Sequence, residues 1–350
     1  MTKQIKDADG KIVAELYKDE DVEEDLDEKT IAVIGYASQG RGQGLCYRES
    51  SANTILGLRK DGPSWKNAVE EGWKVGEDLY DIDDAVKNGD IIVILVADTA
   101  QPELYKEHIE PNLTPGKTLV FSHGFNVHYK YITPPEDVDV VMVAPKGPGF
   151  VVRQKFEEGF GVPALVAVHQ DKSGHAWDTV LGLAKAIGAT RPGVLKTTFK
   201  DEVESDLFGE QVDLCGGVME MVKHAYDTLI ESGYNPVLAY WEVHHELHGL
   251  IAPLCYRYGN VGMLNRVSLT ARKGAMAVGK KVMDDHVKTN MKSALAYIQT
   301  DQFAKEWMAE YEEYGFKKLE GEIIDLSKHP LETIGLQVRQ IMWPDEKEHQ

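Results

Sequence analysis

Four carboxylates stand in two pairs with the same spacing, Asp206 with Glu210 and Glu242 with Glu246. On a helix, residues four apart share one face, so each pair stacks two like charges that repel. Aromatic and apolar residues surround the second pair across residues 241–250, where unpaired carboxylates are costly. Hard oxygen ligands of this kind suit Mg²⁺, which keeps several waters and leaves room for substrate oxygens. For either pair taken alone, a solvated helix face is the plain alternative. His244, His245 and His248 lie beside the second pair, but no H-E-x-x-H string occurs, and exposed helix positions account for them.

A second chemistry is written near the front. Gly35-Tyr36-Ala37-Ser38-Gln39-Gly40 follows a short apolar run and precedes a helix expected from about Gln43, the context that a dinucleotide fingerprint requires. Gly35 permits the tight turn. The second position lets backbone N–H groups approach a pyrophosphate, and the helix N-terminus adds partial positive charge. Ala37 holds that second position, one methyl away from the usual glycine. At the end of the next expected strand, where NAD enzymes place an acid for the ribose 2′-hydroxyl, the chain carries Arg59 and Lys60, with Ser64 close behind. Two cations and a hydroxyl suit a 2′-phosphate and favour NADPH. Asp61 is the dissenting residue: if it faces the ribose, NADH is accepted.

Two further groups follow strand ends. His123, in Ser122-His123-Gly124-Phe125, and Lys146, in the string from Ala144 to Gly149, occupy matching positions at the sheet edge where doubly wound folds bind ligands. An imidazole and a cation beside a nicotinamide can move a proton and steady an oxyanion. Gly149 belongs with the cofactor-binding set.

The elements that must position these groups divide in two. Strand-like runs at 30–35, 53–58, 91–96, 118–122, 138–143 and 164–169 alternate with helix-like stretches at 67–71, 80–88, 102–109 and 176–187. Such alternation predicts βαβ units, hence an α/β domain with a doubly wound parallel sheet over residues 1–197. Beyond it, apolar residues recur at three and four positions, as in Leu214, Val218, Met221, Val222 and Ala225. This periodicity predicts an all-α domain over residues 198–345. At 350 residues and 43% hydrophobic, the chain suits two ordinary domains. It has no apolar run of membrane-spanning length and opens on alternating charges, which predicts a cytoplasmic protein. A net charge of -19 disfavours nucleic acid and anionic lipid and fits a site that concentrates metal cations. Cys46, Cys215 and Cys255 lack C-x-x-C spacing and are expected to be reduced and buried.

The chain resembles the ketol-acid reductoisomerases of the shorter class over nearly its whole length. The resemblance rests on 35–40, on Ser122-His-Gly-Phe-Asn126 and Val143-Ala-Pro-Lys-Gly-Pro-Gly149, and on Thr197-Thr-Phe-Lys-Asp-Glu202 and Asp206-Leu-Phe-Gly-Glu-Gln211. Leu214-Cys-Gly-Gly217 and Phe303-Ala-Lys-Glu-Trp307 extend it. It implies Mg²⁺-dependent alkyl migration in 2-acetolactate or 2-aceto-2-hydroxybutyrate, followed by NADPH reduction to the 2,3-dihydroxy acid, in branched-chain amino acid synthesis. It also implies that Asp206 bridges two Mg²⁺ ions and that Glu210 completes one shell. Glu242 and Glu246 would serve the second metal or the substrate from a partner subunit, Glu246 among the catalytic groups. A knotted helical domain and an obligate homodimer with a shared active site, open to further assembly, follow in the same way. The chain departs from the family at Ala37, at Arg41-Gly-Gln-Gly44, and around Ser268, which aligns with the substrate-contacting serine only across a one-residue gap. Pro253, shortly after Glu246, is expected to kink its helix. A metal-independent hydroxyacid dehydrogenase and a dinucleotide-sensing regulator are the alternatives, separated from the main reading by Mg²⁺ dependence and by turnover.

Overall fold

A computed structural model describes residues 2–23, 26–50 and 53–344. Glu24 and Asp25 of the acidic lead-in, and Asp345 at the end of the expected helical domain, lie outside them. The chain forms two compact units, residues 1–205 and 206–350.

In the first unit, β1 (Lys3–Lys6) and β2 (Ile12–Tyr17) form a hairpin. The chain then runs β3 (Thr30–Ile34), α1 (Ser38–Ser50), β4 (Asn53–Gly57), α2 (Pro63–Glu70), β5 (Leu79–Tyr80), α3 (Ile82–Asn88), β6 (Ile91–Ile94) and α4 (Gln101–Leu104). After α4 the helix widens to a π turn, Tyr105–Ile109. There follow β7 (Thr118–Phe121), α5 (Phe125–His128), β8 (Asp139–Pro145), α6 (Gly149–Glu157), β9 (Ala164–Gln170), α7 (Ala176–Ala186) and β10 (Val194–Lys196). Strand order is β1-β2-β10-β9-β8-β7-β6-β3-β4-β5.

From β5 to β8 every neighbour is parallel, and the order reverses between β3 and β6. This is the doubly wound arrangement, with its ligand crevice at the switch point. Alternate residues of β3 explain why both faces are covered: Ile31 and Val33 enter one apolar core, Ala32 and Ile34 the other. The expected strands all form. Beyond β8 the sheet is not purely parallel, because β9 pairs antiparallel to β8 and β2 antiparallel to β10. The N-terminal hairpin was hidden by its composition, since its residues are mostly exposed and alternate weakly.

Glycines set the closest approach in this unit. A Cβ on Gly42 would lie 2.1 Å from the Gly149 carbonyl oxygen, and one on Gly149 would lie 2.0 Å from that of Ser38. Helices α1 and α6 therefore touch backbone to backbone.

α8 (Phe199–Gly209) carries the chain into the second unit. It passes into a π turn, Glu210–Leu214, then α9 (Gly216–Glu231) and α10 (Pro236–Tyr240). Two further π turns, Trp241–His245 and Leu247–Ile251, lead to α11 (Ala252–Leu264), and then come α12 (Leu269–Val282), α13 (Asp285–Gln299), α14 (Gln302–Tyr314), α15 (Lys317–Ser327) and α16 (Pro330–Met342). The unit is helical, as the periodicity predicts. Its buried cluster is small: Val222, Tyr226, Ala239, Tyr240, Leu331 and Val338. Pro253 follows closely on the π turn Leu247–Ile251 without interrupting the helical run, and the break in α11 falls at Gly259, with φ 69°. No helix among the described residues is long and apolar enough to cross a membrane. The expectation of buried cysteines holds for Cys46 alone; Cys255 is half-buried and Cys215 exposed.

Replacing Gly42 with Ala should force α1 and α6 apart and cost about 1–3 kcal/mol, the usual penalty of overpacking. The melting temperature should fall by roughly 2–10 °C, read by calorimetry; an unchanged value would mean that the two backbones do not meet.

Candidate active site

The turn after β3 is built for close backbone contact. Gly35 has φ 101°, and a Cβ there would meet Leu95 backbone and Val96 side chain within 3 Å. Gly40 faces the Gly35 carbonyl so closely that any Cβ would lie 2.2 Å from it. Helix α1 begins at Ser38, earlier than the glycine-rich sequence suggests, so 38–41 form its first turn and direct backbone N–H groups toward the crevice. Ala37 is exposed. The side chains of the motif serve the protein. Tyr36 is buried, Ser38 Oγ accepts from the Gly149 N–H at 3.2 Å, and Gln39 Nε2 donates to the Gly147 carbonyl at 2.9 Å. Gln43, fully buried, donates through Nε2 to Gln39 and to Ser122 Oγ. Gly149 thus serves the site through packing beneath the turn.

At the end of β4 the chain turns through Arg59, Lys60 and Asp61, all exposed, with the Gly62 N–H donating to the Arg59 carbonyl at 3.2 Å. Asp61 takes the left-handed conformation at φ 60°. Ser64, half-buried, lies in the first turn of α2. Helix, hydroxyl and cations are gathered at one turn, a composition suited to phosphate.

His123 and Lys146 follow neighbouring parallel strands, β7 and β8, so their side chains emerge together at the sheet's C-terminal edge. What joins them is Glu202. This carboxylate is 1% exposed; Oε1 accepts from Lys146 Nζ at 2.9 Å, and Oε2 faces His123 Nδ1 at 3.0 Å and the Gly124 N–H at 3.3 Å. Burial alone would push its pKa up. The hydrogen bond and charge of His123, with the charge of Lys146, outweigh burial and hold it at about 2. Gly124 lets α8 come this close, since a Cβ there would press on Phe199 and Val203. Glu202 stands in one of the strings quoted above, but one carboxylate in Lys-Asp-Glu carries no spacing signal. Another group without a signal is Asn126, fully buried, whose Nδ2 donates to the Asp98 carbonyl and to Gln101 Oε1, both at 2.9 Å. It ties the loop after β6 to the loop that carries His123.

Asp206 lies one turn beyond Glu202 on α8, and the two offer carboxylate oxygens within 4.8 Å of each other. Glu210 begins the following π turn and is exposed. That turn explains Gly216 and Gly217, whose Cβ atoms would lie 2.3 and 2.0 Å from the carbonyls of Gln211 and Val212. Glu242 and Glu246 are exposed, contrary to the apolar surroundings that the sequence suggests. Their helix turns Ala239, Tyr240, Val243 and Leu247 toward the core and the acids away from it. Within the second unit, Glu210, Glu242 and Glu246 join no cluster of three ligating groups among the described residues. His244 also differs from its expected exposure. It stacks on Tyr240 at 4.9 Å, and burial, with His248 next, pulls its pKa down to about 4. Ser268 is the exposed N-cap of α12, its Oγ accepting from the Ala271 N–H at 3.1 Å.

Residues 25–193 match the family described as acetohydroxy acid isomeroreductase, NADPH-binding domain, and residues 199–343 match ketol-acid reductoisomerase, C-terminal domain. The chain is 51% identical to the ketol-acid reductoisomerase (NADP(+)) of Pyrococcus abyssi, over 94% of this chain and 98% of the relative. It is 47% identical to the enzyme of the same name from Nitrosopumilus maritimus, over 96% and 100%. Among solved structures, an NADH-preferring ketol-acid reductoisomerase from an uncultured archean is 42% identical and superposes with a TM-score of 0.89, covering 93% of this chain and 98% of that one.

A carboxyl whose folded pKa is depressed stabilises the fold above its unfolded value and loses that contribution as pH falls through the folded one. For Glu202 the window runs from the ordinary 4.5 down to about 2. Wild-type melting temperature should therefore drop more steeply across this window than that of Glu202→Gln; parallel curves would show that the carboxylate is not held by His123 and Lys146.

Proposed function

Because the chain belongs to the ketol-acid reductoisomerase family, we propose that it converts 2-acetolactate and 2-aceto-2-hydroxybutyrate to the 2,3-dihydroxy acids, with NADPH and two Mg²⁺, in branched-chain amino acid synthesis. The observation that carries the reading is the buried Glu202 joining His123 and Lys146, with Asp206 one turn away on the same helix. An anionic, hard-oxygen donor set beside an imidazole and an ammonium suits Mg²⁺ chemistry on a ketone. When bound, Mg²⁺ polarises the ketone for alkyl migration and NADPH supplies the hydride.

Asp206 and Glu210 would hold the metals, with Glu242 and Glu246 contributed by a second copy. Glu202 keeps His123 Nδ1 occupied, which makes Nε2 the atom able to exchange a proton with substrate. Lys146 Nζ, anchored at one proton to Glu202, is placed to steady a developing oxyanion. The backbone N–H groups of 36–40 would take the pyrophosphate. Arg59, Lys60 and Ser64 at one turn favour a 2′-phosphate, so NADPH is preferred to NADH. A shared homodimer is supported by the apolar residues that the second unit leaves exposed, including Leu214, Trp241, Leu250, Tyr256, Val261 and Leu269. A cytoplasmic location belongs to the same reading.

NADPH and NADH oxidation should be followed with 2-acetolactate, with and without Mg²⁺. Turnover should require Mg²⁺ and be more efficient with NADPH; Arg59→Ala should narrow that difference about tenfold, as loss of one charge-assisted contact implies, and Glu246→Gln should lower kcat. Mg²⁺-independent turnover, or none, would overturn the reaction. Equal efficiency with both cofactors in the wild type would overturn the NADPH preference.

A further inference from the structure

The end of α2 folds back beneath the phosphate turn. Glu71 caps the helix, Gly72 takes φ 86°, and this left-handed residue returns Trp73 into the core, where it is 2% exposed. Its indole Nε1 donates to the Tyr36 hydroxyl at 2.9 Å, and that hydroxyl donates to Glu71 Oε2 at 2.6 Å. The other oxygen, Oε1, accepts from Arg41 Nε, also at 2.6 Å. Arg48 lies over the Trp73 ring at 4.3 Å and closes the cluster from the far side.

Tyr36 and Arg41 bracket the turn that offers its backbone to a pyrophosphate. One precedes Ala37, and the other, in the first turn of α1, donates its own N–H to the Ala37 carbonyl at 2.8 Å. A single carboxylate from another element thus fixes both ends of the turn. The same bond holds a guanidinium at the N-terminus of α1. Arginine carries five N–H donors in a fixed fork, of which Glu71 takes the one on Nε.

We propose that Glu71 is a positioning residue for the dinucleotide, clamping Tyr36 and Arg41 so that the turn 36–41 and the Arg41 guanidinium are preorganised for the pyrophosphate. The inference rests on the cofactor reading given above. Since NADPH and NADH share the pyrophosphate, both feel the clamp equally, unlike a contact to the 2′-phosphate. Glu71 touches no reacting atom, so it acts on cofactor binding and leaves the chemical step alone.

The test uses the full-length enzyme. Dissociation constants for NADPH and NADH are measured by quenching of protein fluorescence, and KM and kcat with 2-acetolactate and Mg²⁺, for wild type, Glu71→Gln, Arg41→Met and the double variant. Each single change should weaken both dinucleotides by the same factor, about five- to tenfold for a partly exposed charged pair, with kcat retained at saturation. The double variant should be no weaker than the poorer single one, because the two residues act as a unit. Glu71→Asp, which keeps the charge, should recover part of the loss. Independent, multiplying effects, unchanged affinities, or tighter binding by Glu71→Gln would overturn the proposal. If Glu71→Gln does not fold, Tyr36→Phe with Arg41→Met forms the same cycle. A wild type that binds neither dinucleotide sinks the cofactor reading itself; a wild type that binds both beside unaffected variants sinks the clamp alone.

Discussion

The buried carboxylate of Glu202 constrains more of this chain than any other single group. Taking it out of water is tolerable only because Lys146, His123 and the Gly124 N–H all face it. The groups come from three places: His123 and Gly124 from the loop after β7, Lys146 from the loop after β8, and Glu202 itself from the first turn of α8. Adjacent parallel strands deliver the two loops side by side, and the absence of a side chain at Gly124 lets α8 close on them. Removing one member would leave a charge stranded in the interior, so the ion triad locks the start of α8 to the sheet edge.

The cofactor end depends on a different constraint, the exclusion of side chains. Gly35, Gly40, Gly42 and Gly149 are the positions where a Cβ would strike backbone. Ala37 is not among them; it points outward, which is why a departure from the usual glycine is compatible with the turn. Gly42, with no side chain of its own, opens the space for α6. The phosphate turn is therefore held from below by the α1–α6 contact and from the side by Glu71.

The sequence is legible where a residue's role follows from its own neighbours. Apolar runs such as 30–34 and 91–94 announce strands, and the turn at 35–40 carries its purpose in its glycines. Long-range partners leave no such trace. Glu202 is one acid in an acidic stretch, and only the fold shows that it meets groups 56 and 79 residues away. Glu71 reads as the frayed end of a helix until Trp73 and Tyr36 are seen beneath it. The π turns at 210–214 and 241–251 also escape periodicity, since a widened turn alters the register over a few residues only. For Glu242 and Glu246 the error ran the other way: apolar neighbours suggested burial, but on a helix those neighbours face the core and turn the acids to the surface.

The two units differ in how far they satisfy themselves. The first buries two continuous apolar cores on either side of its sheet and completes its ion triad from its own residues, Glu202 included. The second buries a small cluster and leaves Trp241, Leu250, Tyr256 and Val261 exposed. That cluster, with Leu207, Ile298, Ala304 and Met308 buried elsewhere in the unit, supplies little of the apolar burial that ordering more than a hundred residues requires. Exposed apolar surface on that scale is the mark of an interaction site, and in the homodimer proposed above a second copy would cover it and bring its own exposed carboxylates. On that view the stability of the helical unit is tied to protomer concentration, and the placement of Glu242 and Glu246 is a property of the assembly rather than of one chain.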